Sequence, residues 1–424
     1  MRQRLQQASQ VAGGLIRRHR PDYQIILFMG VLMLLGLVVL YSISTARVEL
    51  INTGGSSLDQ AHFMQRQLLY LLAGLVGFGI AASVPIALWQ KYASKILLLA
   101  FGACVVLAIT GALGVWPALC TSGACRWFDV GFGTFQPAEL VKFGLLLFLA
   151  GFLGRRMAQK KINSVSETLV PLGIIVGIAT FFIVVLQKDM GSGIAMLGLV
   201  ATMLFIAGIN KRNGLLVAGV LLGAGVLLIL IAPHRLERVA TFLDPSQDTR
   251  DSSYHITQAK IAIGSGGLFG VGLGQGVQAF GYLPEAVNDS IFAVMGEVFG
   301  FAGLLAILAL FIALLLRILM ITDAIHDPPM RLLVAGAFGW IATHVLVNIG
   351  AMIGIFPLTG VTLPLLSFGG TSLLFMMLAL GLVFQASRYT SHTKDGKGDG
   401  NENSYSRRRL GGSRHTSGGR RSRA

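Results

Sequence analysis

The sequence predicts an all-α polytopic membrane protein of about ten transmembrane helices, with a large structured extracytoplasmic loop between the seventh and eighth. Three observations predict it. Hydrophobic residues make up 54% of the 424 positions and charged ones only 12%, about half the charged share of a soluble domain. Apolar runs of roughly 20 residues, enough to cross about 30 Å of hydrocarbon, recur from Ile25 to Ser387. Lys and Arg are shared unequally between the two sets of loops those runs define. A soluble globule is excluded.

The spans fall at about 24–43, 68–88, 96–115, 137–153, 168–187, 190–209, 214–233, 291–317, 332–356 and 364–386. The first follows a polar, basic segment and no small-residue cleavage site comes after it, so it reads as a retained helix and not a signal peptide. An even number of crossings puts both termini on one side. That side carries 25 of the 34 Lys and Arg, while Arg47, Arg66, Arg126, Lys188, Arg235, Arg238, Arg250 and Lys260 lie opposite. Basic loops resist translocation, so both termini are expected on the cytoplasmic side of the membrane.

Three regions follow: a basic cytoplasmic N-terminus over 1–23, a membrane domain over 24–388, and a tail over 389–424. The net charge of +15 owes much to that tail, which is rich in Gly, Ser and Arg. Its low complexity predicts disorder. Topology and attraction to anionic headgroups, or a cytoplasmic partner, explain it better than nucleic acid does. Of three cysteines, Cys104 falls mid-span as an apolar filler. Cys120 and Cys125 share one outer loop, where an oxidising compartment permits a bridge, and no His is near enough to suggest a metal.

Two outer loops are long, from about Trp116 to Thr134 and from about His234 to Ser290. More than fifty residues without structure would be unusual in a compact protein. Ser253 to Ile263 interleaves His255, Gln258 and Lys260 with Ile256, Ala259, Ile261 and Ile263, the pattern of a helix on the membrane surface. Gly264 to Gly276 follows with seven glycines. Such a run can curl N–H groups around an anion or act as a hinge; flanking elements of a dinucleotide site are missing. No internal repeat aligns the two halves, which counts against a transporter built on inverted repeats.

Polar groups at membrane depth are costly and therefore functional candidates. Glu139 and Lys142, three residues apart, share a helix face; a self-neutralising ion pair and the lining of a hydrated cavity, where Lys142 meets a phosphate, are both open. Asp189, in QKDMGSG, is explained by capping the next helix. His344 and Asn348, one turn apart, suit bonds between helices. Asp289 stands where the second long loop re-enters the membrane, with Glu285 one turn before and Glu297 two turns after. A partly desolvated carboxylate there has the character of a general base, and capping the eighth span is the competing explanation.

Together these segments resemble the SEDS family (shape, elongation, division and sporulation) over about residues 24–388. LGLVVLYSIST is similar to that family's opening helix, RWFDVGFGTFQPAELVKFG to its entry into the fourth span, and QKDMGSG to its Gln-Pro-Asp-Leu-Gly-Thr turn. Asn348 to Leu374, NIGAMIGIFPLTGVTLPLLSFGGTSLL, is close to the family signature. AKIAIGSGGLFGVGLGQGVQAFGYLPEA and TLPLLSFGGTS resemble the division-type branch more than the elongation-type one. The family's His-Thr-Asp-Phe stands here as Val287, Asn288, Asp289 and Ser290, which keeps the aspartate and loses its neighbours.

The resemblance implies a peptidoglycan glycosyltransferase acting on lipid II at the outer membrane face. It places the family's catalytic aspartate on Asp289 and the family's fourth-span pair on Glu139 and Lys142. Asp289 is then the general base, and Lys142 with Arg126, Arg235 or Arg238 neutralises the departing diphosphate, in a substrate site that includes Asp189 and Glu285. A divalent cation, Mg or Mn, is compatible with a diphosphate, though no ligand cluster demands one. A class B penicillin-binding protein and other membrane proteins of division are the implied partners. A lipid II flippase and a non-catalytic division scaffold are the alternatives.

Overall fold

The computed structural model describes residues 20–53, 59–121, 123–131, 133–231, 236 and 252–390. Most of the predicted N-terminal segment and nearly all of the predicted tail, like Arg235, Arg238 and Arg250, lie outside those residues. The chain is a bundle of long apolar helices: α1 (Tyr23–Thr53), α2 (His62–Ser83), α3 (Ile86–Leu113), α4 (Pro137–Ala158), α5 (Val165–Leu186, with a π turn at each end), α6 (Met190–Ile206), α7 (Lys211–Ile231), α9 (Ile291–Ala324), α10 (Pro328–Met352) and α11 (Gly370–Ala386). A further helix, α8 (Ser252–Ser265), belongs to the second long loop. Among the described residues, eight of these helices, α1 to α5 and α9 to α11, are long and apolar enough to cross a membrane, and α6 is a shorter apolar helix of 17 residues.

α4 and α10 are buried on nearly every face, and the other helices are laid around them with apolar side chains left outward for lipid. Their starts follow from local chemistry. Pro137 opens α4, where its missing N–H costs nothing. Asp327 caps α10 by accepting from Met330 N, ahead of Pro328 and Pro329. At one end of the bundle Arg317 pairs with Asp22, Gln385 Nε2 donates to Val84 O, and Asn163 ties the turn at Asn210 and Asn213. The site described below is at the other end.

Of the boundaries that differ from the sequence reading, three have a clear physical reason. α3 begins at Ile86 rather than near 96, because Lys91 and Lys95 stay helical. Their long stems carry the ammonium groups outward, each about a ring's reach from Tyr92 at 5.6 and 5.4 Å. α1 runs on to Thr53, ten residues past the expected 43, with Ala46 and Val48 buried. The last helix starts at Gly370 and not 364: Pro357 and Pro364 lack N–H groups, and Gly354, Gly360 and Leu365 adopt positive φ, so residues 353–369 form an irregular strap.

The first long loop holds a feature that the reading missed, a three-stranded antiparallel sheet of β1 (Ala118–Thr121), β2 (Ala124–Asp129) and β3 (Thr134–Phe135) in the order β1-β2-β3. Cys120 and Cys125 face each other across it and are joined. It rests on α3 at Gly111, where an added Cβ would come within 2.7 Å of Cys125 Sγ.

The glycine-rich run is neither an open anion nest nor a hinge. α9 breaks at Gly300, φ 69° and ψ −170°, and the backbone groups released there pair with the run. Phe301 N donates to Gly267 O and Ala302 N to Leu268 O, while Val271 N and Gly272 N donate to Glu297 O and Val298 O, at 2.9–3.1 Å. Glycine is required because backbone meets backbone: a Cβ on Gly266 would stand 2.0 Å from Gly296 O, and one on Gly270 2.1 Å from Val298 O. The one anion that the run's far end does receive is internal, since Val277 N donates to the Glu297 carboxylate at 2.7 Å.

Neither partner can yield at Gly266, so Gly266→Ala should lose about 1–3 kcal/mol or more by overpacking. A thermal unfolding midpoint in detergent reads this against Gly264→Ala, where an added Cβ meets nothing within 4 Å and the midpoint should hardly move. Equal midpoints for the two variants would contradict the packing explanation.

Candidate functional site

Asp289 closes a short irregular segment that leads from the glycine-rich run into α9. Leu283, Ala286 and Val287 are buried and pin the segment to the bundle. Glu285, with φ 50°, makes the reversal that precedes Asp289, and its carbonyl accepts from Asn288 N at 2.9 Å and Ser290 N at 3.2 Å. The Glu285 side chain is exposed and accepts from Asn288 Nδ2. Asp289 is half-buried. Capping does not explain it, because Ser290 holds the N-cap position of α9 and no side chain caps there.

What fixes Asp289 is its main chain. Asn348 on α10 donates from Nδ2 to Asp289 O at 2.7 Å and to Val361 O at 2.6 Å, clamping the segment before α9 to the strap of residues 353–369. Phe368 N adds a bond to Val287 O at 2.9 Å. The Asp289 carboxylate faces Gly360, where a Cβ would lie 3.9 Å from Oδ2. Ser290, fully buried, has its hydroxyl 2.9 Å from Pro284 O, 3.4 Å from Asp289 Oδ1 and 2.5 Å from His255 Nε2 on α8.

Deeper, one turn along α10, is the intramembrane charge pair. Lys142 Nζ donates to Glu139 Oε1 at 2.7 Å, with side-chain exposures of 0% and 3%. His344 Nε2 lies 3.2 Å from Lys142 Nζ and also accepts from Trp340 Nε1 at 3.2 Å, which leaves Nδ1 to donate to Thr362 O at 3.3 Å. Lys142 Nζ further stands 5.2 Å from the centre of the Trp340 ring. A polar path therefore runs from Asp289 through Asn348, Val361, Thr362, His344 and Lys142 to Glu139, whose Oε2 is buried without a hydrogen-bond partner.

This placement changes the expectation for Lys142, which is sealed inside the bundle and does not line an open cavity in this conformation. Arg126 is at the outer end, yet its guanidinium donates to Gln187 O at 3.2 Å and Lys188 O at 2.9 Å, tying β2 to the turn between α5 and α6. Asp189 caps α6 by accepting from Ser192 N at 2.9 Å through Oδ1, and Oδ2 accepts from Gln136 Nε2 at 2.8 Å. Both its oxygens are engaged in structure. Lys260, not singled out by the sequence, is an exposed cation at the outer end; a Cβ on Gly354 would meet its Nζ at 2.8 Å.

The sequence singles out Asp289, Glu139 and Lys142 but not the contacts that hold them. His255, Asn348 and Thr362 approach from 34, 59 and 73 residues away, a separation for which one sequence carries no signal. The i, i+4 spacing of His344 and Asn348 was the one visible hint. Among the described residues no group of three or more His, Cys, Asp and Glu side chains gathers as a metal site would require.

Comparison with known proteins accords with this geometry. The profile of the FtsW/RodA/SpoVE cell cycle proteins matches residues 23–392. Stage V sporulation protein E of Bacillus subtilis is 34% identical over 377 residues, covering 89% of this chain and 99% of its own. Probable peptidoglycan glycosyltransferase FtsW of Aliivibrio salmonicida is 37% identical over 369 residues, 86% of this chain and 88% of its own. Among solved structures, one from work on the structural coordination of polymerization and crosslinking by a peptidoglycan synthase complex is similar with a TM-score of 0.67 at 25% identity, over 87% of this chain and 98% of that one. Rod shape determining protein RodA of Thermus thermophilus gives 0.63 at 26%, over 87% and 97%.

The buried pair makes a test of stability. Glu139→Gln leaves the Lys142 ammonium without its counter-ion and should cost about 3–5 kcal/mol, whereas the apolar double replacement Glu139→Leu with Lys142→Met should recover most of that loss. Thermal midpoints in detergent decide it. A single variant as stable as the wild type would mean that water already reaches the pair.

Proposed function

The chain belongs to the FtsW/RodA/SpoVE family of cell cycle proteins, and from that premise we propose that it is an inverting peptidoglycan glycosyltransferase that polymerises lipid II at the outer face of the bacterial cytoplasmic membrane. Relatives named as probable peptidoglycan glycosyltransferases support the activity. The observation that carries the assignment of the base is Asp289 itself: half-buried on the rim of the membrane domain, with its main chain clamped by Asn348. A rigidly placed, partly desolvated carboxylate is what proton abstraction from a sugar hydroxyl needs.

The chemistry is a single displacement. One lipid II presents a sugar alpha-linked to undecaprenyl diphosphate, and the 4-hydroxyl of a second sugar attacks its anomeric carbon from the opposite face. Asp289 takes the hydroxyl proton as the new beta-1,4 bond forms, and the carbon–oxygen bond to the diphosphate breaks with its electron pair leaving on the diphosphate. Positive charge near that leaving group lowers the barrier. Lys260 at the outer end is a candidate for it, as are Arg235 and Arg238, while Lys142 acts by holding the strap rather than by touching phosphate. A magnesium or manganese ion at the diphosphate would depend largely on the substrate's own oxygens, given the ligand chemistry present.

The end of the bundle that bears Lys91, Lys95, Arg155, Arg156, Lys160, Lys161, Lys211 and Arg212 faces the cytoplasm by the positive-inside rule, which puts Asp289 outside and both termini inside. Cell division is the setting favoured by the names of the curated relatives. The partner is a class B penicillin-binding protein, a reading supported by the similar chain from a synthase complex that coordinates polymerization with crosslinking. A flippase would need a passage for the headgroup, and the ion pair that suggested one is enclosed by Trp340 and His344.

Asp289→Asn keeps the shape and removes the base, so glycan chains from labelled lipid II on a gel should fall by at least about a hundredfold with the melting midpoint unchanged. Polymer at the wild-type level from that variant would overturn the assignment.

A further inference from the structure

The hydroxyl of Ser290 has one proton and several claims on it. Pro284 O at 2.9 Å and Asp289 Oδ1 at 3.4 Å are acceptors only, whereas His255 Nε2 at 2.5 Å either donates or accepts according to its proton. If Ser290 donated to His255, nothing would remain for the two oxygens. When His255 carries the proton on Nε2, the Ser290 oxygen accepts from the imidazole and its own proton goes to Pro284 O or to Asp289 Oδ1. The contact to Asp289 is long, as catalytic hydrogen bonds often are before substrate tightens them.

We propose that His255, acting through the Ser290 hydroxyl, is a positioning residue for the Asp289 carboxylate. The proposal rests on the reading of Asp289 as the base. A proton from Ser290 on Oδ1 holds the carboxylate plane and leaves Oδ2, on the Gly360 side, as the oxygen that meets the sugar hydroxyl. α8 is rigid enough for the purpose, since Ile256, Ala259 and Ala262 are buried and Ile263 lies against Gly296 of α9. Ser290 directly follows the aspartate, and an imidazole reaches it from another element.

Among the described residues, the other charged groups on the elements around α8 are these. Glu285 lies exposed before Asp289, and Glu297 on α9 is occupied by Val277 N and Gln278 N. Lys260 is on α8 itself, and in the outer half of α10 only His344 titrates, engaged with Lys142 and Thr362.

The experiment uses the full chain with its class B penicillin-binding protein and labelled lipid II, and compares wild type, Asp289→Asn, Ser290→Ala, His255→Ala and His255→Gln for kcat, KM and melting midpoint. Ser290→Ala and His255→Ala should each lower kcat about tenfold, with KM within about twofold and the midpoint unchanged, the pattern of a loss confined to the transition state. His255→Gln still offers Ser290 a donor and should recover most of the kcat. Wild-type kcat in both alanine variants, a His255→Gln variant as slow as His255→Ala, or kcat falling only in step with the melting midpoint would each overturn the positioning role. Polymer from Asp289→Asn would overturn the base instead, and no polymer from wild type would overturn the polymerase reading itself.

Discussion

Within a bilayer, backbone that leaves a helix must find its hydrogen-bond partners in protein, and the strap of residues 353–369 is where this molecule meets that demand. Its carbonyls at Val361 and Thr362 accept from Asn348 and His344, Ser367 O accepts from Gln67 Nε2 on α2, Ser367 Oγ accepts from Leu363 N, and Phe368 N donates to Val287 O. α1 closes the remaining side so tightly at Gly36 that an added Cβ would stand 2.7 Å from Leu366 O. The strap is irregular because prolines and positive φ values forbid a helix, and over residues 361–367, where most of it is buried, these bonds take up several of its polar groups. Those same bonds carry the segment of Asp289.

The ion pair of Glu139 and Lys142 gains its meaning from this arrangement. A buried pair contributes little stability on its own account, because desolvation offsets attraction. Lys142 holds His344 by one ring nitrogen, however, and His344 holds the strap by the other. The charges therefore act as the inner anchor of a polar path whose outer end is the carboxylate. Their cost is met away from lipid, at the contact of two of the most enclosed helices.

Much of the fold was legible because apolar length is written directly in the chain. The spans, the helix of the second long loop and the carboxylate at the re-entry point all followed from local pattern. Hydropathy does not distinguish a face that meets lipid from one that meets protein, so Lys142 could be placed at membrane depth but not known to be sealed. It also scored PLLSF as part of a span, since leucines in an irregular buried strap and leucines in a helix count alike. Lys91 and Lys95 had the converse effect and hid the first turns of α3. The small sheet between α3 and α4 escaped because strands of two to six residues leave no periodicity to find.

Three carboxylates at the outer end are held in two different ways. Asp189 spends its oxygens on the N-terminus of α6 and on Gln136, and Glu297 spends its own on the amides at 277 and 278. Each is the local solution to backbone N–H groups that a membrane-embedded turn leaves exposed, and each would be needed in a protein with no activity at all. Asp289 is held the other way round, through its carbonyl, by an amide on another helix. Fixing a residue by its main chain sets where its side chain starts. Sequence position made the three look alike; the direction of their hydrogen bonds does not.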